Sequence, residues 1–165
     1  MINYAGEEIK FTGCPGCAYA KHEFKLPCGI AYQDDMLTVS QDWELPIDGF
    51  FVVCPTARHV ERFTDLTTEE RARMFELVDK VMAVLKDNKI CDLFNIVIQE
   101  KPGVHLHVWI YPQYDWMKEK FKNTMGYVKD IFDYAKENLR TKANLEKIKQ
   151  TSDIVRKVLN EEIHE

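Results

Sequence analysis

The chain has 165 residues, a formal net charge of −5 and a pI near 5.6. This length suits one domain with a sizeable core, because a chain of this size buries roughly 70% of its unfolded surface. The charge gives no general electrostatic reason to bind nucleic acid or anionic membrane, and neither a membrane-spanning apolar run nor a secretion signal is evident, so we expect a cytosolic protein without nucleic-acid or membrane partners.

The N-terminal segment contains the motif Cys14-Pro15-Gly16-Cys17, which predicts a knuckle rather than a regular element. Two thiolates at this spacing can reach one tetrahedral zinc ion. The remaining ligands must come from the histidines, of which His59 and His105 are preferred over His22, His107 and His164. A knuckle without metal is the alternative, and a redox role would need a βαβ context that this segment does not supply. In a reducing cytosol, the five cysteines are expected as ligands or buried apolar residues rather than disulfides.

Five short apolar segments predict strands. The first two form a predicted hairpin at residues 29–32 and 36–40, followed by a buried strand at residues 50–54, and the last two strands are expected at residues 93–99 and 104–112. Because they follow one another mostly in hairpin order with one long helix inserted, we predict an α+β fold with an antiparallel sheet of about five strands.

One long helix separates the third and fourth predicted strands. Thr67 and Glu70 form a capping-box pattern at its start, and apolar residues then recur at helical spacing to about Asp87. From Trp116 onward, apolar residues recur every three or four positions, and Gly126 divides two helical stretches. We expect residues 1–125 to form the main domain. Residues 126–165 are expected as a helical extension of that domain, packed on the sheet or on a partner.

The last predicted strand alternates histidine with apolar residues. Since successive side chains of a strand point to opposite faces, His105, His107 and Trp109 are expected on one face, and Val104, Leu106, Val108 and Ile110 on the other. Histidine serves as nucleophile, proton carrier or metal ligand. The alternative is a half-exposed strand with two ordinary polar residues.

Taken in order, these segments resemble the histidine triad superfamily over about two thirds of the chain. The resemblance is carried by two motifs, single residues between them and the long helix. In chain order these are Cys14 to Cys17, Asp42, the continuous stretch from Val52 to Leu66 that includes Pro55 and His59, the long helix, Gln99, and the strand His105-Leu106-His107-Val108-Trp109-Ile110.

The resemblance implies a role for each matching residue. His107 would be the nucleophile that carries a nucleotidyl group as a phosphoramidate. Asp42 would bind ribose hydroxyls, and Gln99 would lie near the phosphates. His105 would complete a structural zinc site with three further ligands, Cys14, Cys17 and His59. A homodimer built around the long helix and its neighbouring strand is also implied.

The sequence departs from the family pattern at three places. Trp109 replaces the third histidine of the triad, Phe50 replaces a further histidine, and a glycine-rich stretch before His105 is missing. Trp109 could still stack on a base or sugar of the substrate, and Lys101 or Arg58 could supply positive charge. The resemblance therefore implies a hydrolase or nucleotidyl transferase acting on a phosphate-linked nucleoside. The alternatives are a degenerate relative that binds a nucleotide or another ligand without turnover, and an interaction protein that works through its C-terminal helices.

Overall fold

The computed structural model describes residues 1–56 and 58–161 of the chain. Predictions that involve Ala57, and those that involve Ile163 and His164 in the C-terminal segment, fall outside the described residues. No helix among the described residues is long and apolar enough to cross a membrane.

Five strands form one antiparallel sheet, which confirms the predicted α+β class. They are β1 (Ile30–Gln33), β2 (Leu37–Gln41), β3 (Phe51–Pro55), β4 (Phe94–Ile98) and β5 (Val108–Pro112), in the spatial order β1-β2-β3-β5-β4. The described helices are α1 (Pro15–Ala20), α2 (Thr68–Asp87), α3 (Asp115–Phe121), α4 (Val128–Asn138) and α5 (Lys142–Glu161), with a short 3-10 turn at Phe63–Asp65 before α2.

The long helix α2 begins where the sequence predicts. The Thr67 side chain accepts a hydrogen bond from the Glu70 backbone N–H at 3.1 Å, and Glu70 Oε2 accepts one from the Thr67 N–H at 2.7 Å. This reciprocal pair satisfies two donors that the first helical turn leaves free. The predicted capping box is therefore confirmed.

The two faces of the sheet have different partners. One face packs its alternate side chains, among them Leu37, Val53 and Val108, against α2 and the C-terminal half of α5. On the opposite face, Phe50 and Tyr111 pack against α3 and α4. The N-terminal segment and α1 cover the rest of that second face through a cluster around Tyr4, Tyr19 and Trp43. The space between α1 and α4 is where the candidate site lies.

The histidine strand is shorter than predicted. Residues 104–107 precede β5, because β3 ends at Pro55, which lacks the N–H needed to extend the ladder. The alternation nevertheless persists: Leu106 and Val108 enter the core beneath α2, while Trp109 faces the other side. The prediction for Val104 is wrong, since this residue is half-buried and borders the cleft that contains His107.

One further local prediction requires correction, and the C-terminal helices receive definite bounds. Residues 15–20 form a short helix instead of an irregular knuckle, since Cys14 caps it and Pro15 occupies its first position. The helices predicted after Gly126 are α4 and α5, and the chain breaks between them at residues 139–141, where Thr141 Oγ1 accepts from the Asn144 N–H at 3.2 Å, as an N-cap does. Both helices pack on their own chain.

Candidate metal and ligand site

Four side chains from three separate segments meet beside α1. The ligand atoms of Cys14, Cys17, His59 and His105 all lie within 4.8 Å of one another. The Nδ1 atom of His105 is 3.6 Å from Cys14 Sγ and 3.5 Å from Cys17 Sγ, and His59 Nδ1 is 3.5 Å from Cys17 Sγ. Sulfur and nitrogen ligands on one tetrahedral zinc ion stand about 3.5–3.6 Å apart, given bonds of about 2.3 and 2.0–2.1 Å. The group therefore fits a tetrahedral metal ion.

The far nitrogens of both histidines are fixed by acceptors. His105 Nε2 is 2.8 Å from the Pro55 carbonyl oxygen, so Nε2 must carry the proton and donate it. His59 Nε2 lies 3.3 Å from Glu61 Oε1 in the same manner. Each arrangement leaves the Nδ1 lone pair directed at the thiols, and metal-binding histidines are commonly oriented by such partners.

The acidic partner of His59 is itself held in place. A backbone hydrogen bond from Gly103, and after it the contact with His59, lower the pKa of the Glu61 carboxyl. Glu61 thus lies between His59 and the turn that leads into His105.

The α1 segment approaches His105 closely because residue 16 has no side chain. A β-carbon at Gly16 would lie 2.5 Å from His105 Cγ. Cys14 Sγ accepts a hydrogen bond from the Cys17 N–H at 3.5 Å, which fixes the two thiols on one side of the short helix. Gly16, between the two cysteines, is therefore a packing requirement of the site.

Burial shifts the pKa values of Cys17 and His105 in opposite directions. It raises the pKa of the Cys17 thiol, with Cys14 as the next contributor, and it lowers the pKa of His105. A bound cation favours both the thiolate and the neutral imidazole. Without a cation, burial therefore favours the neutral Cys17 thiol, and a bound metal ion would be needed to hold it as the thiolate.

A cleft of about 360 Å³ lies next to this group, on the same face of the sheet. Its floor includes Val52 and Cys54 of β3. The predicted residues Asp42, Gln99, His105, His107 and Trp109 all line it. The tertiary structure therefore brings the predicted catalytic and substrate-binding residues to one cavity.

His107 is half-buried in the cleft wall and has a defined tautomer. Its Nδ1 atom is 3.0 Å from the His105 carbonyl oxygen, which can only accept, so Nδ1 carries the proton. The Nε2 lone pair is then free to act as nucleophile or ligand. Because His107 bonds the backbone of the metal-group residue His105, the position of its ring depends on that group.

Asp42 and Gln99 enter the cleft from opposite ends of the sheet. Asp42 is buried just after β2, and its Oδ1 accepts from the N–H groups of Glu44 and Leu45 at 3.0 and 2.9 Å. Within the described part of the chain, Oδ2 makes no hydrogen bond and is the oxygen left for a ligand. Gln99 is exposed immediately after β4.

Burial is also the largest influence on the Asp42 carboxyl. It raises the pKa of Asp42 to about 6, although the backbone bonds from Glu44 and Leu45 act in the opposite direction. The carboxyl is therefore ionised above about pH 6, where it can accept two hydrogen bonds from neighbouring hydroxyls.

The sequence matches the HIT domain over residues 23–115, which is more than half of the chain. The chain belongs to the HIT family. No curated protein sequence matches it. The matched range contains His59, His105 and His107 but neither cysteine of the metal group, nor any part of α4.

Solved structures of HIT proteins share the fold. A zinc-bound histidine triad family protein from Mycobacterium smegmatis is 17% identical, with a TM-score of 0.61, over 90% of this chain and 94% of its own. A hypothetical histidine triad nucleotide-binding protein from Sulfolobus tokodaii is 21% identical, with a TM-score of 0.62, over 90% and 93% of the two chains. A HIT-like protein from Bartonella henselae, involved in cell-cycle regulation, is 16% identical, with a TM-score of 0.62, over 90% and 98%.

Two of the departures from the HIT pattern, Trp109 and Phe50, pack together, with Trp109 lining the cleft and Phe50 fully buried behind it. The Trp109 ring lies edge-on to Phe50, with centroids 5.8 Å apart, and to Phe132 of α4, with centroids 5.6 Å apart. It also contacts the His107 ring at 5.7 Å. An indole offers one N–H donor and no titratable acid in place of an imidazole, so this side of the cleft supplies apolar surface instead of a proton.

The prediction that Arg58 could supply positive charge to the cleft is wrong. Arg58 donates to Glu70 Oε2 at 2.7 Å and to the Asp65 carbonyl at 2.6 Å, and it thereby secures the start of α2 instead of the cleft. Lys101 is exposed and does line the cleft. The two cations differ because Lys101 follows β4 at the cleft mouth, whereas Arg58 follows β3 on the side of α2.

Sequence reasoning missed the contribution of the C-terminal helices to the cleft. Phe132 and Lys136 of α4 line it, and Lys136 Nζ is 3.1 Å from Glu44 Oε2 across the opening. The four-residue spacing of Phe132 and Lys136 indicates a shared helix face, but no local signal shows that this face meets the sheet. The support of His105 by a backbone carbonyl of Pro55 has no sequence signal at all.

Proposed function

We propose that the protein binds a phosphate-linked nucleoside in this cleft and transfers or hydrolyses its nucleotidyl group through His107. The observation that carries the proposal is the meeting of His107, with Nδ1 tied to a carbonyl, with Asp42 and Gln99 in a single cavity of about 360 Å³. Membership of the HIT family and the histidine triad nucleotide-binding protein among its structural relatives support the same class of ligand.

In this mechanism, His107 Nε2 attacks the phosphorus that carries the nucleoside. A P–N bond forms, the bond from phosphorus to the leaving group breaks, and the leaving group takes a proton from solvent. Water then attacks the phosphoramidate, so that the P–N bond breaks and the nucleotide is released. Asp42 accepts the sugar hydroxyls, while Gln99 and Lys101 donate to phosphate oxygens at the cleft mouth.

Turnover is expected to be slow. Trp109 and Phe50 stand where the family pattern has imidazoles, and losing one donor aimed at a developing charge costs on the order of 10² to 10³ in rate. The same feature favours the second candidate function, a nucleotide-binding protein without turnover, because Trp109 and Phe132, which line this side of the cleft, supply no acid.

Trapping of the intermediate tests the proposal. Wild-type protein quenched with α-phosphate-labelled nucleotides should carry acid-labile phosphohistidine, and His107→Ala should abolish the label while its metal content and melting temperature stay near wild type. Asp42→Ala should retain the label but lose its preference for ribose over 2′-deoxyribose. Binding without label or product in every nucleotide class would replace this function with the binding-only candidate.

We further propose that Cys14, Cys17, His59 and His105 hold one structural zinc ion. Support comes from the sulfur–nitrogen spacing of 3.5–3.6 Å, the two oriented imidazoles and the zinc-bound HIT relative. Elemental analysis should find about one zinc per chain, and Cys17→Ser should lower both zinc content and melting temperature. Cys28→Ser, which changes a cysteine outside the group, should alter neither; a metal-free protein of unchanged stability would contradict the assignment.

A homodimer is the assembly we propose. The edge strand β4 has no neighbour on one side, and Ile96 of this strand and Leu93 just before it are 46% and 54% exposed. The C-terminal helix α5 packs along β1, at the other edge, and so leaves the β4 side accessible.

We also propose a cytosolic location, which is consistent with the five free thiols.

A further inference from the structure

The open edge of β4 lacks the features that usually keep an edge strand from pairing. From Leu93 to Gln99 the chain has no charged residue and no proline, and edge strands are commonly protected by one or the other. Leu93 and Ile96 are exposed there. Because each copy of the chain has a net charge of −5, two copies meet with least repulsion along an uncharged segment. A second copy is therefore the partner that fits this edge.

The backbone of β4 shows which residues can pair with a further strand. The Gln113 N–H donates to the Leu93 carbonyl at 2.8 Å. Backbone groups of successive residues point to opposite sides of a strand, so the odd-numbered residues that follow Leu93 pair with β5. The N–H and C=O groups of Phe94, Ile96 and Ile98 consequently point to the open side.

These three residues make the strand complementary to its own copy. A two-fold axis brings the same patch of both copies together and makes the paired strands antiparallel. Complete overlap of β4 with its copy places the axis at Ile96, so that Phe94 would pair with the partner's Ile98. Phe94 and Ile98 both lie on the sheet face that packs against α2. The pairing is thus apolar against apolar along the whole strand.

The same register would bring residues of the partner to the cleft. On the cleft face, Val97 pairs with Trp109 of β5, and the partner's Asn95 would lie on the other side of Val97. One pair further along, the partner's Leu93 would lie beside Gln99, which lines the cleft. Two strand spacings, about 10 Å, separate β5 from the second β4. The partner's strand would therefore border the cleft mouth.

The loop at residues 122–127, between α3 and α4, is held over this part of β4. Asn95 Nδ2 donates to Thr124 Oγ1 at 3.2 Å, and Asn123 Oδ1 accepts from the Met125 N–H at 2.9 Å. Thr124 is buried, whereas Met125 is exposed. The loop lies outside the segment that matches the HIT domain. Because the partner's Asn95 would lie next to Val97, the loop bonded to it would stand at the cleft mouth.

We propose that the α3–α4 loop of each copy, together with Leu93, forms a wall of the partner's cleft. This inference rests on the proposed homodimer and is independent of the chemistry at His107. Each cleft is then bounded by α1 and α4 of its own chain and, at Gln99, by the loop of the other copy. The partner's Leu93 and the partner's Met125 supply apolar surface that shields Trp109 from water.

A disulfide between the copies tests the register. Residues that face each other in an antiparallel pair without exchanging hydrogen bonds have Cα atoms about 4.5 Å apart, within the range of about 4.4–6.8 Å that a disulfide spans. Leu93 and the partner's Gln99 form such a pair. The double variant Leu93→Cys/Gln99→Cys, oxidised with glutathione disulfide, should therefore migrate as a covalent dimer on a non-reducing gel.

Three controls are matched to this cross-link. Leu93→Cys alone, Gln99→Cys alone and the wild type with its five native cysteines should all migrate as single chains. A mixture of the two single variants should regain the cross-link, because it then joins different copies. Val97→Cys would cross-link to itself only if the strands were offset by two residues, and that result would overturn the register.

Quenching of Trp109 fluorescence by acrylamide tests the wall. Trp43→Phe/Trp116→Phe leaves Trp109 as the only one of the three tryptophans. In this background, Met125→Ala should increase the quenching constant while the mass measured by light scattering stays that of a dimer. Ile96→Lys should increase both the quenching constant and the fraction of monomer. Ile2→Ala, at an exposed residue of the N-terminal segment, should change neither.

The outcomes separate this inference from the proposed function. A dimer that shows neither the cross-link nor shielding of Trp109 by Met125 overturns the shared cleft and leaves the homodimer and the His107 proposals standing. Equal quenching in the background protein, Met125→Ala and Ile96→Lys also overturns it. The cross-link and a shielded Trp109 support it even if no phosphohistidine forms, whereas a monomeric wild type overturns both the dimer and this inference.

Discussion

At the scale of single residues, the contact between α1 and His105 depends on one missing side chain. The three atoms nearest to a β-carbon placed on Gly16 all belong to His105, at 2.5 to 2.8 Å. The His105 ring cannot yield, because its Nε2 donates to Pro55 and its core neighbours are buried. Any side chain at this position must therefore move the two thiols away from the imidazole.

We predict that Gly16→Ala lowers zinc content and melting temperature even though no ligand is changed. The expected cost is 1 to 3 kcal/mol, about that of overpacking a buried site. Metal analysis and thermal denaturation measure both effects. Gly126→Ala makes the same change where the nearest atom is 3.4 Å away, and it should leave the metal bound. Full zinc occupancy in Gly16→Ala would refute the packing argument.

Asp42 couples the cleft to pH. Its pKa rises from 3.8 to about 6 on folding, so the folded state keeps a proton that the unfolded chain releases between about pH 4 and pH 6. Stability contributed by the protonated form is thus lost as pH rises through this window. A shift of about 2 units corresponds to about 3 kcal/mol at 1.36 kcal/mol per unit.

Asp42→Asn should therefore gain stability relative to wild type as pH increases, by up to about 3 kcal/mol between pH 4 and pH 7. The amide oxygen can still accept from Glu44 and Leu45, which keeps the loop in place. Urea denaturation at intervals across this range measures the difference. Asp35→Asn, at an exposed acid, should show the wild-type profile, and parallel profiles for Asp42→Asn and wild type would disprove the burial effect.

At the scale of elements, the C-terminal helices have separate roles at the sheet. Helix α5 covers the β1 edge, where Arg156 donates to the Ile30 carbonyl at 3.2 Å and Asn160 donates to the Ala31 carbonyl at 2.9 Å. These bonds occupy carbonyls that an edge strand otherwise exposes to another chain. Helix α4 instead packs on the sheet face and forms a wall of the cleft.

The packing of α4 rests largely on Phe132, which contacts Phe50, Trp109 and Tyr111 with ring centroids 5.6 to 5.9 Å apart. We predict that Phe132→Ala destabilises the protein by about 2 kcal/mol, which is below the about 3–5 kcal/mol lost when a fully buried phenylalanine is truncated. The change in Trp109 fluorescence on ligand binding should also be smaller in this variant. Tyr127→Ala, on an exposed aromatic of the same helix start, should cost under about 0.5 kcal/mol. Equal losses in the two variants would argue against docking through Phe132.

At the scale of the whole molecule, the two ends of the chain meet around the matched family segment. Helix α1 and its cysteines close one side of the cleft, α4 closes the other, and the Lys136–Glu44 pair spans the opening. The one long sheet edge without cover among the described residues is β4, with exposed apolar residues beside it. For the proposed homodimer, this edge is therefore the expected interface, and Gln99, just after β4, lies where that edge meets the cleft.

We predict a dimer in solution whose interface includes β4 and α2. Ile96→Lys places a charge on the exposed edge and should shift the mass measured by light scattering from dimer to monomer, because charged residues block edge pairing. Ile2→Lys makes the same change at an apolar residue of equal exposure, 46%, on the N-terminal segment, and it should remain dimeric. A monomeric wild type at micromolar concentration would overturn the interface.

Local patterns were sufficient for most of the elements. The capping box at Thr67 and Glu70 depends on groups three residues apart, so the start of α2 can be located from sequence. The extent of β5 could not, because its ladder ends where Pro55, far away in the chain, has no N–H to offer. The break at Thr141 was missed for a different reason: both sides of it have the same helical periodicity.

By itself, the sequence determined the fold class and the four residues that meet in the possible metal-binding group, since these follow from residue type, spacing and family resemblance; the nucleophilic role of His107 stays a prediction. Only the tertiary structure decided which charges reach the cleft. Arg58 pairs with Glu70 outside the cleft, whereas Lys101 and Lys136 of α4 line it. The positions of these three cations depend on contacts between residues that are dozens of positions apart in the chain. Those contacts form only when the sheet, α1 and α4 have packed together.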